Sequence, residues 1–152
     1  MPVQAEHRFP LDLSVPDAAG SRVTLAGLRG QARAVAADFM RTGTCPFCIQ
    51  HARALARLDL PTRGVQPVVV VVVPGSPTHA ARVRRILGDR VTVVSSAGAQ
   101  AHLAAGLHRT LLLQHSGIML IDSAGVVRYR PATALPAGSF DGPTLQAAID
   151  RL

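Results

Sequence analysis

The sequence predicts an α/β fold with a mostly parallel central sheet, and three observations carry that prediction. Apolar, β-branched runs alternate with segments whose apolar residues recur at helical spacing, as expected when crossover helices join neighbouring parallel strands. Six consecutive valines, Val68 to Val73, have the composition of a strand covered on both faces. The only two cysteines, Cys45 and Cys48, stand where the first parallel strand gives way to a helix. A length of 152 residues suits one domain, 1–152, and 48% hydrophobic with 16% charged residues favours a packed core over disorder.

Each element follows in order. Residues 11–15 and 22–25 are short extended segments around Pro16, Asp17 and Gly20, which predicts an N-terminal β-hairpin. Residues 32–40 are apolar and small, and the loop and helix start that follow them argue for a strand. Pro46 suits a first helical turn, and Ile49, Ala52, Leu55, Ala56 and Leu58 continue at helical spacing, with Arg53 and Arg57 opposite. Residues 61–67 read as a turn before the valine strand. Ser76 and Pro77 open a helix carrying Ala80, Val83, Ile86 and Leu87 that stops at Gly88. Residues 91–94 form a short strand, and residues 97–107 a helix of small residues. Residues 118–121 and 126–129 flank a turn at 122–125, a closing hairpin. Residues 128–140 are irregular, and Asp141 caps a last amphipathic helix to Leu152.

Charge and hydropathy exclude several classes of function. The net charge of +7 arises from 16 Arg and no Lys against nine acids, dispersed along the chain. Arg82, Arg84 and Arg85 form the one dense basic cluster, and with aromatics at 3% it reads as a solvated helix face rather than a nucleic-acid site. No apolar run approaches the roughly 20 residues that cross a bilayer, so no membrane partner is expected. Residues 1–10 are polar and lack the apolar stretch of a signal peptide, so the expected compartment is the cytoplasm.

The cysteines carry the chemistry. A bridge across three positions closes almost no loop and stabilises little, so Cys45-Pro46-Phe47-Cys48 reads as reactive rather than structural. At a helix start, free N–H groups and the positive end of the helix dipole favour thiolate at Cys45. Such placement lowers a cysteine pKa from about 8.5 into a range of about 3.5 to 7.5. Cys48, one turn further in, is within reach to attack a sulfenic acid or mixed disulfide on Cys45. Two other readings compete. The pair is half of a zinc site if His51 supplies a third ligand and His79, His102, His108 or His115 a fourth, although the usual zinc spacings are missing. Otherwise the cysteines are buried, inert thiols. Haem attachment is excluded because Ile49, not His, follows Cys48.

Phe39, Arg41, Cys45, Pro46 and Cys48 make the pattern F-x-R-x-x-x-C-P-x-C, which resembles the signature of peroxiredoxin-like proteins of the AhpC/TSA (redoxin) group, with a thioredoxin-like fold. Residues 13–30 are similar to that family's N-terminal hairpin and lead-in, Gly106-Leu107 to an internal segment, and residues 117–130 to its closing hairpin. The resemblance implies that Cys45 attacks a peroxide or a disulfide, that Cys48 resolves the product, and that a reversible Cys45–Cys48 bridge results. It implies an external thiol reductant of the thioredoxin type and no cofactor.

Peroxiredoxins carry P-x-x-x-T-x-x-C, in which Thr orients peroxide; Thr42 stands in the Thr place, Asp38 in the Pro place, and Ser116 where a distant Arg is usual. The cis-Pro of thioredoxins is not supplied by Ser116-Gly117. Thioredoxins also place a buried Asp near Asp38, which implies a proton acceptor for Cys48, against the alternative of an exposed strand-end acid. Arg41 is a candidate to hold the thiolate and polarise peroxide. Thr42 and Thr44 either bond thiolate or substrate or satisfy loop backbone. His51 reads as a helix residue, and Phe47 and Phe140 as edges of an apolar groove. The expected activity is peroxide reduction, with general thiol–disulfide exchange on proteins as its rival and a metal-binding module as a third reading.

Overall fold

The computed structural model describes residues 7–57, 67–130 and 142–152. The chain opens with β1 (Ser14–Pro16) and β2 (Arg22–Thr24), an antiparallel hairpin with Val15 opposite Val23. The hairpin is shorter than the sequence predicts. Leu25, expected in its second strand, instead begins a helix, α1 (Leu25–Arg29), because the Thr24 hydroxyl accepts the Gly27 N–H and caps it at that point.

Five further strands make the main sheet. The first three alternate with helices, β3 (Ala34–Phe39), α2 (Pro46–Arg57), β4 (Val68–Val73), α3 (Pro77–Leu87) and β5 (Thr92–Ser95), as predicted to within two residues at each described boundary. The helix expected over 97–107 is only α4 (Gln100–Ala104). Ala97 and Gly98 take positive φ angles of 52° and 76°, which no helix accommodates, and Gly106 at φ 76° bars extension at the other end. A small hairpin that the sequence did not reveal follows, β6 (Arg109–Thr110) with β7 (Leu113–Gln114). The closing hairpin is β8 (Gly117–Asp122) and β9 (Val127–Tyr129), and α5 (Gly142–Asp150) ends the described chain. Leu58, the 61–66 part of the predicted turn, the irregular stretch over 131–140, Phe140 and the Asp141 cap lie outside the described residues.

The sheet order is β5-β4-β3-β8-β9. β3, β4 and β5 are parallel, and the closing hairpin adds antiparallel strands on the far side of β3. This is a thioredoxin-like arrangement with an N-terminal hairpin. The hairpin touches the sheet through a bridge between Asp17 and Val94.

Strand alternation sorts the core into two layers. Val35, Ala37, Phe39, Val70 and Val72 pack with α1 and α4 residues such as Leu25 and Ala101. Val71 and Val73 pack with Met40, Cys45, Cys48 and Ala52, while Ala34 and Ala36 pack with Leu55 and Leu145. Asp38 shares the parity of Ala34 and Ala36 and so projects toward the α2 layer.

The closing turn depends on one glycine. Gly125 has φ 82°, and a Cβ there would sit 2.7 Å from the Phe9 carbonyl oxygen. Gly125→Ala is expected to destabilise the protein by about 2 to 3 kcal/mol, measured by urea unfolding. An unchanged midpoint would contradict this account of the turn.

Candidate functional site

β3 ends at Phe39, and residues 41–45 turn the chain into α2 with Pro46 as its first residue. Pro has no N–H to leave unpaired in that first turn. The cysteines are free thiols, 2% and 3% exposed. The Cys48 N–H donates to Cys45 Sγ at 3.4 Å, so a helix N-terminal amide faces the first sulfur and stabilises negative charge on it. The Arg41 N–H donates to Cys48 Sγ at 3.3 Å. Each sulfur therefore has a backbone donor.

Asp38 lies behind this pair, 3% exposed, with Oδ2 buried and unpartnered among the described residues. Burial alone pushes its carboxyl from 3.8 up to about 7. The Cys48 thiol is pushed up to about 12, first by burial and then by its bond with Cys45, with the Cys45 and Asp38 charges adding to the rise and the Arg41 N–H opposing it. Cys48 is thus a protonated thiol at neutral pH, and the burial-raised Asp38 carboxyl lies within electrostatic reach of it.

The other candidates are placed less centrally. The Thr42 hydroxyl accepts the Thr44 N–H at 3.3 Å and lies 3.2 Å from the Thr44 hydroxyl, so both threonines bond within the loop. Arg41 approaches Cys48 through its backbone, and its buried Nε has no partner among the described residues. Ser116 is buried, its Oγ also unpartnered. His51 is half-buried in α2, and burial lowers its pKa. Among the described residues, no group of three or more His, Cys, Asp or Glu side chains is arranged to hold a metal ion. Phe47 is 54% exposed on the outer side of the motif.

The structure adds a residue that the sequence suggested only as a metal ligand. His102 is fully buried, its ring edge-on to Phe39 at 5.3 Å. Its Nε2 lies 2.7 Å from the Met40 carbonyl oxygen and its Nδ1 2.9 Å from Ser96 Oγ. Burial holds its pKa down to about 4, with the Met40 bond opposing, so the ring is neutral. A carbonyl only accepts, so Nε2 carries the proton and Nδ1 accepts from the Ser96 hydroxyl. Ser96 Oγ in turn accepts the N–H groups of Ala101 and His102.

The bonded Met40 carbonyl belongs to the same peptide unit as the Arg41 N–H that faces Cys48. Hydrogen bonds at both ends of one peptide polarise each other. His102 is thus linked to the Arg41 donor of Cys48 through one peptide unit without touching the sulfur. A His inside a predicted helix of small residues was the only sequence signal for this.

No protein-family model matches the sequence, and no curated protein matches it either. Solved structures do match. A peroxiredoxin-like protein from Aquifex aeolicus superposes with a TM-score of 0.75 at 16% identity, covering 97% of this chain and 86% of that one. The bacterioferritin comigratory protein of Xanthomonas campestris, whose structures address its alkyl peroxide reduction, gives 0.72 at 15% identity over 96% and 97% of the two chains. A thiol peroxidase from Chromobacterium violaceum gives 0.72 at 16% identity over 95% and 85%. The likeness extends over the whole fold, with the sequences far diverged.

Proposed function

We propose that this chain is a thiol-dependent peroxide reductase in which Cys45 is the nucleophile, Cys48 the resolving thiol and Asp38 its base. The observation that carries the reading is the pairing of two contacting thiols at a helix start with a buried carboxyl of near-neutral pKa behind the second. The similar solved structures of a thiol peroxidase and of an alkyl peroxide reductase support it.

The first step forms a bond from Cys45 sulfur to one peroxide oxygen as the O–O bond breaks. The departing oxygen takes a proton and leaves as water or alcohol, with Cys45 oxidised to sulfenic acid. In the second step Cys48 sulfur attacks Cys45 sulfur, its proton passes to the Asp38 carboxylate, and the S–O bond breaks. Hydroxide leaves as water on taking that proton, and a Cys45–Cys48 disulfide remains. An external dithiol then reduces the bridge by exchange, becoming a disulfide itself. In this reading Arg41, within the reacting loop, polarises the peroxide, and Thr42 orders that loop through its bond to the Thr44 N–H.

Burial of Cys45 also favours a small oxidant. Exchange with a protein disulfide needs an incoming sulfur in line with a sulfur only 2% exposed, whereas a peroxide oxygen needs far less room. The test uses one equivalent of hydrogen peroxide. Wild-type protein is expected to lose both free thiols to one internal disulfide, Cys48→Ser to stop at a sulfenic acid that dimedone traps, and Cys45→Ser to consume no peroxide. Peroxide consumption by Cys45→Ser would overturn the assignment.

A further inference from the structure

Arginines far apart in the chain meet in a cleft at the end of the sheet remote from the cysteines. β3 runs from Ala34, beside this cleft, to Phe39, beside the reactive loop, and its six residues at about 3.3 Å each hold the two places roughly 20 Å apart. The cleft has a volume of about 430 Å³, and Arg29, Arg33, Arg128 and Arg151 line it. They come from the end of α1, the entry to β3, strand β9 and the residue after α5, so the fold gathers them rather than a local charge run.

Asp122 is the one acidic side chain in the lining among the described residues, and its oxygens are already engaged. Its Oδ1 accepts the N–H groups of Ala124 and Val126, each at 2.9 Å, and its Oδ2 accepts Arg128 Nε at 2.7 Å. The terminal nitrogens of Arg128 and the whole Arg151 guanidinium have no partner among the described residues. Arg29 adds an independent sign of a ligand. Its Nη1 donates to the Ala32 carbonyl at 2.8 Å, while its Nε is buried and lacks an acceptor. A buried N–H without an acceptor is costly, and a ligand oxygen satisfies it.

The walls are fixed without a ligand. The Ala32 N–H donates back to the Arg29 carbonyl at 3.0 Å, Asp122 braces its own turn, and Ala34 pairs with Asp122 across the sheet. Guanidinium groups bind phosphate oxygens through paired N–H donors, and several around one cleft suit a multiply charged anion. Ser123 adds a hydroxyl to the lining, and no aromatic side chain there offers a face for a base among the described residues. The volume falls within the range of about 300 to 1,000 Å³ that holds whole small molecules, more than a single phosphate fills.

We infer that this cleft binds a diphosphate group, free or esterified, with Arg29, Arg128 and Arg151 as its donors. The site lies outside the peroxide chemistry and does not depend on it.

The test is calorimetric titration of the whole chain at low salt with pyrophosphate, orthophosphate and ADP. Pyrophosphate is expected to bind once per chain, at least tenfold more tightly than orthophosphate, and more weakly as NaCl is raised. Arg128 and Arg151 are exposed, so their replacement spares the core. Arg128→Ala and Arg151→Ala should each weaken pyrophosphate binding about tenfold or more, while hydrogen peroxide reduction is unchanged. Arg84→Ala, on α3 and outside the cleft, should bind as wild type does. ADP binding tighter than pyrophosphate assigns the esterified form, and weaker binding the free form; either supports the site. Absence of pyrophosphate binding, equal affinity for orthophosphate, or equal weakening by Arg84→Ala and Arg151→Ala overturns the inference, the last because it marks general attraction to a chain of net charge +7.

Discussion

Asp38→Asn is expected to slow formation of the Cys45–Cys48 disulfide from oxidised Cys45 by about 10²-fold or more, the usual contribution of a positioned general base. Cys48, pushed up to about 12, does not ionise unaided at neutral pH, so resolution must route its proton to a neighbour. Asp38 is the buried carboxyl whose charge acts on that sulfur. Stopped-flow measurement of resolution after a peroxide pulse should show a rate that rises through about pH 7 in wild type and loses that inflection in the variant. An unchanged profile would remove Asp38 from the mechanism.

The same substitution has a stability signature whose sign is fixed by linkage. The Asp38 pKa is raised on folding from 3.8 to about 7, so its favourable contribution is present below pH 3.8 and is lost as pH rises toward 7, a change of about 4 kcal/mol. The His102 pKa is lowered from 6.5 to about 4, so the unfolded chain binds the extra proton and stability rises with pH across that window by about 3 kcal/mol. The two slopes oppose each other between pH 4 and 6.5. Asp38→Asn removes the descending one, and urea unfolding of the variant should show stability climbing over that interval. A pH-independent variant would contradict the placement of His102.

His102→Phe is the second large effect. Phenylalanine keeps the aromatic edge against Phe39 but leaves the Met40 carbonyl without its donor and the Ser96 hydroxyl without its acceptor. A buried carbonyl left without its donor and a hydroxyl proton left without its acceptor, on an oxygen that still accepts two N–H groups, cost about 1 to 3 kcal/mol together. If the ring acts only on stability, the resolution rate and its pH profile stay as in wild type. If it also polarises the Met40–Arg41 peptide, resolution slows in proportion to the weakened Arg41 donor, and His102→Gln, which retains an N–H, restores part of the rate. Resolution untouched in both variants would confine His102 to packing.

The parts of the fold that were legible rest on strong local signals. The six valines, Pro77 and Gly88 mark β4 and α3, and Pro46 marks the start of α2. Asp38 was legible as a candidate only through the likeness to thioredoxins, which place a buried Asp nearby, and the sequence leaves its side open between the core and an exposed strand end. Other features lack such signals. α1 carries Gly27 in five residues and is set by one Thr24 bond, so its sequence reads equally as strand. α4 is cut short by backbone angles at Ala97 and Gly98 that the run of small residues conceals. β6 and β7 join through Leu111 and Leu112, whose apolar character gives no turn signal. The His102 bond to Met40 spans 62 residues of chain, and no local pattern announces such a contact.

The central claim is that Cys45 is a nucleophile built for peroxide. Its most direct test is the rate at which hydrogen peroxide oxidises Cys45 in Cys48→Ser protein, followed by sulfenic acid trapping at neutral pH. The account predicts oxidation orders of magnitude faster than that of free cysteine under the same conditions. A rate no faster than free cysteine would contradict it.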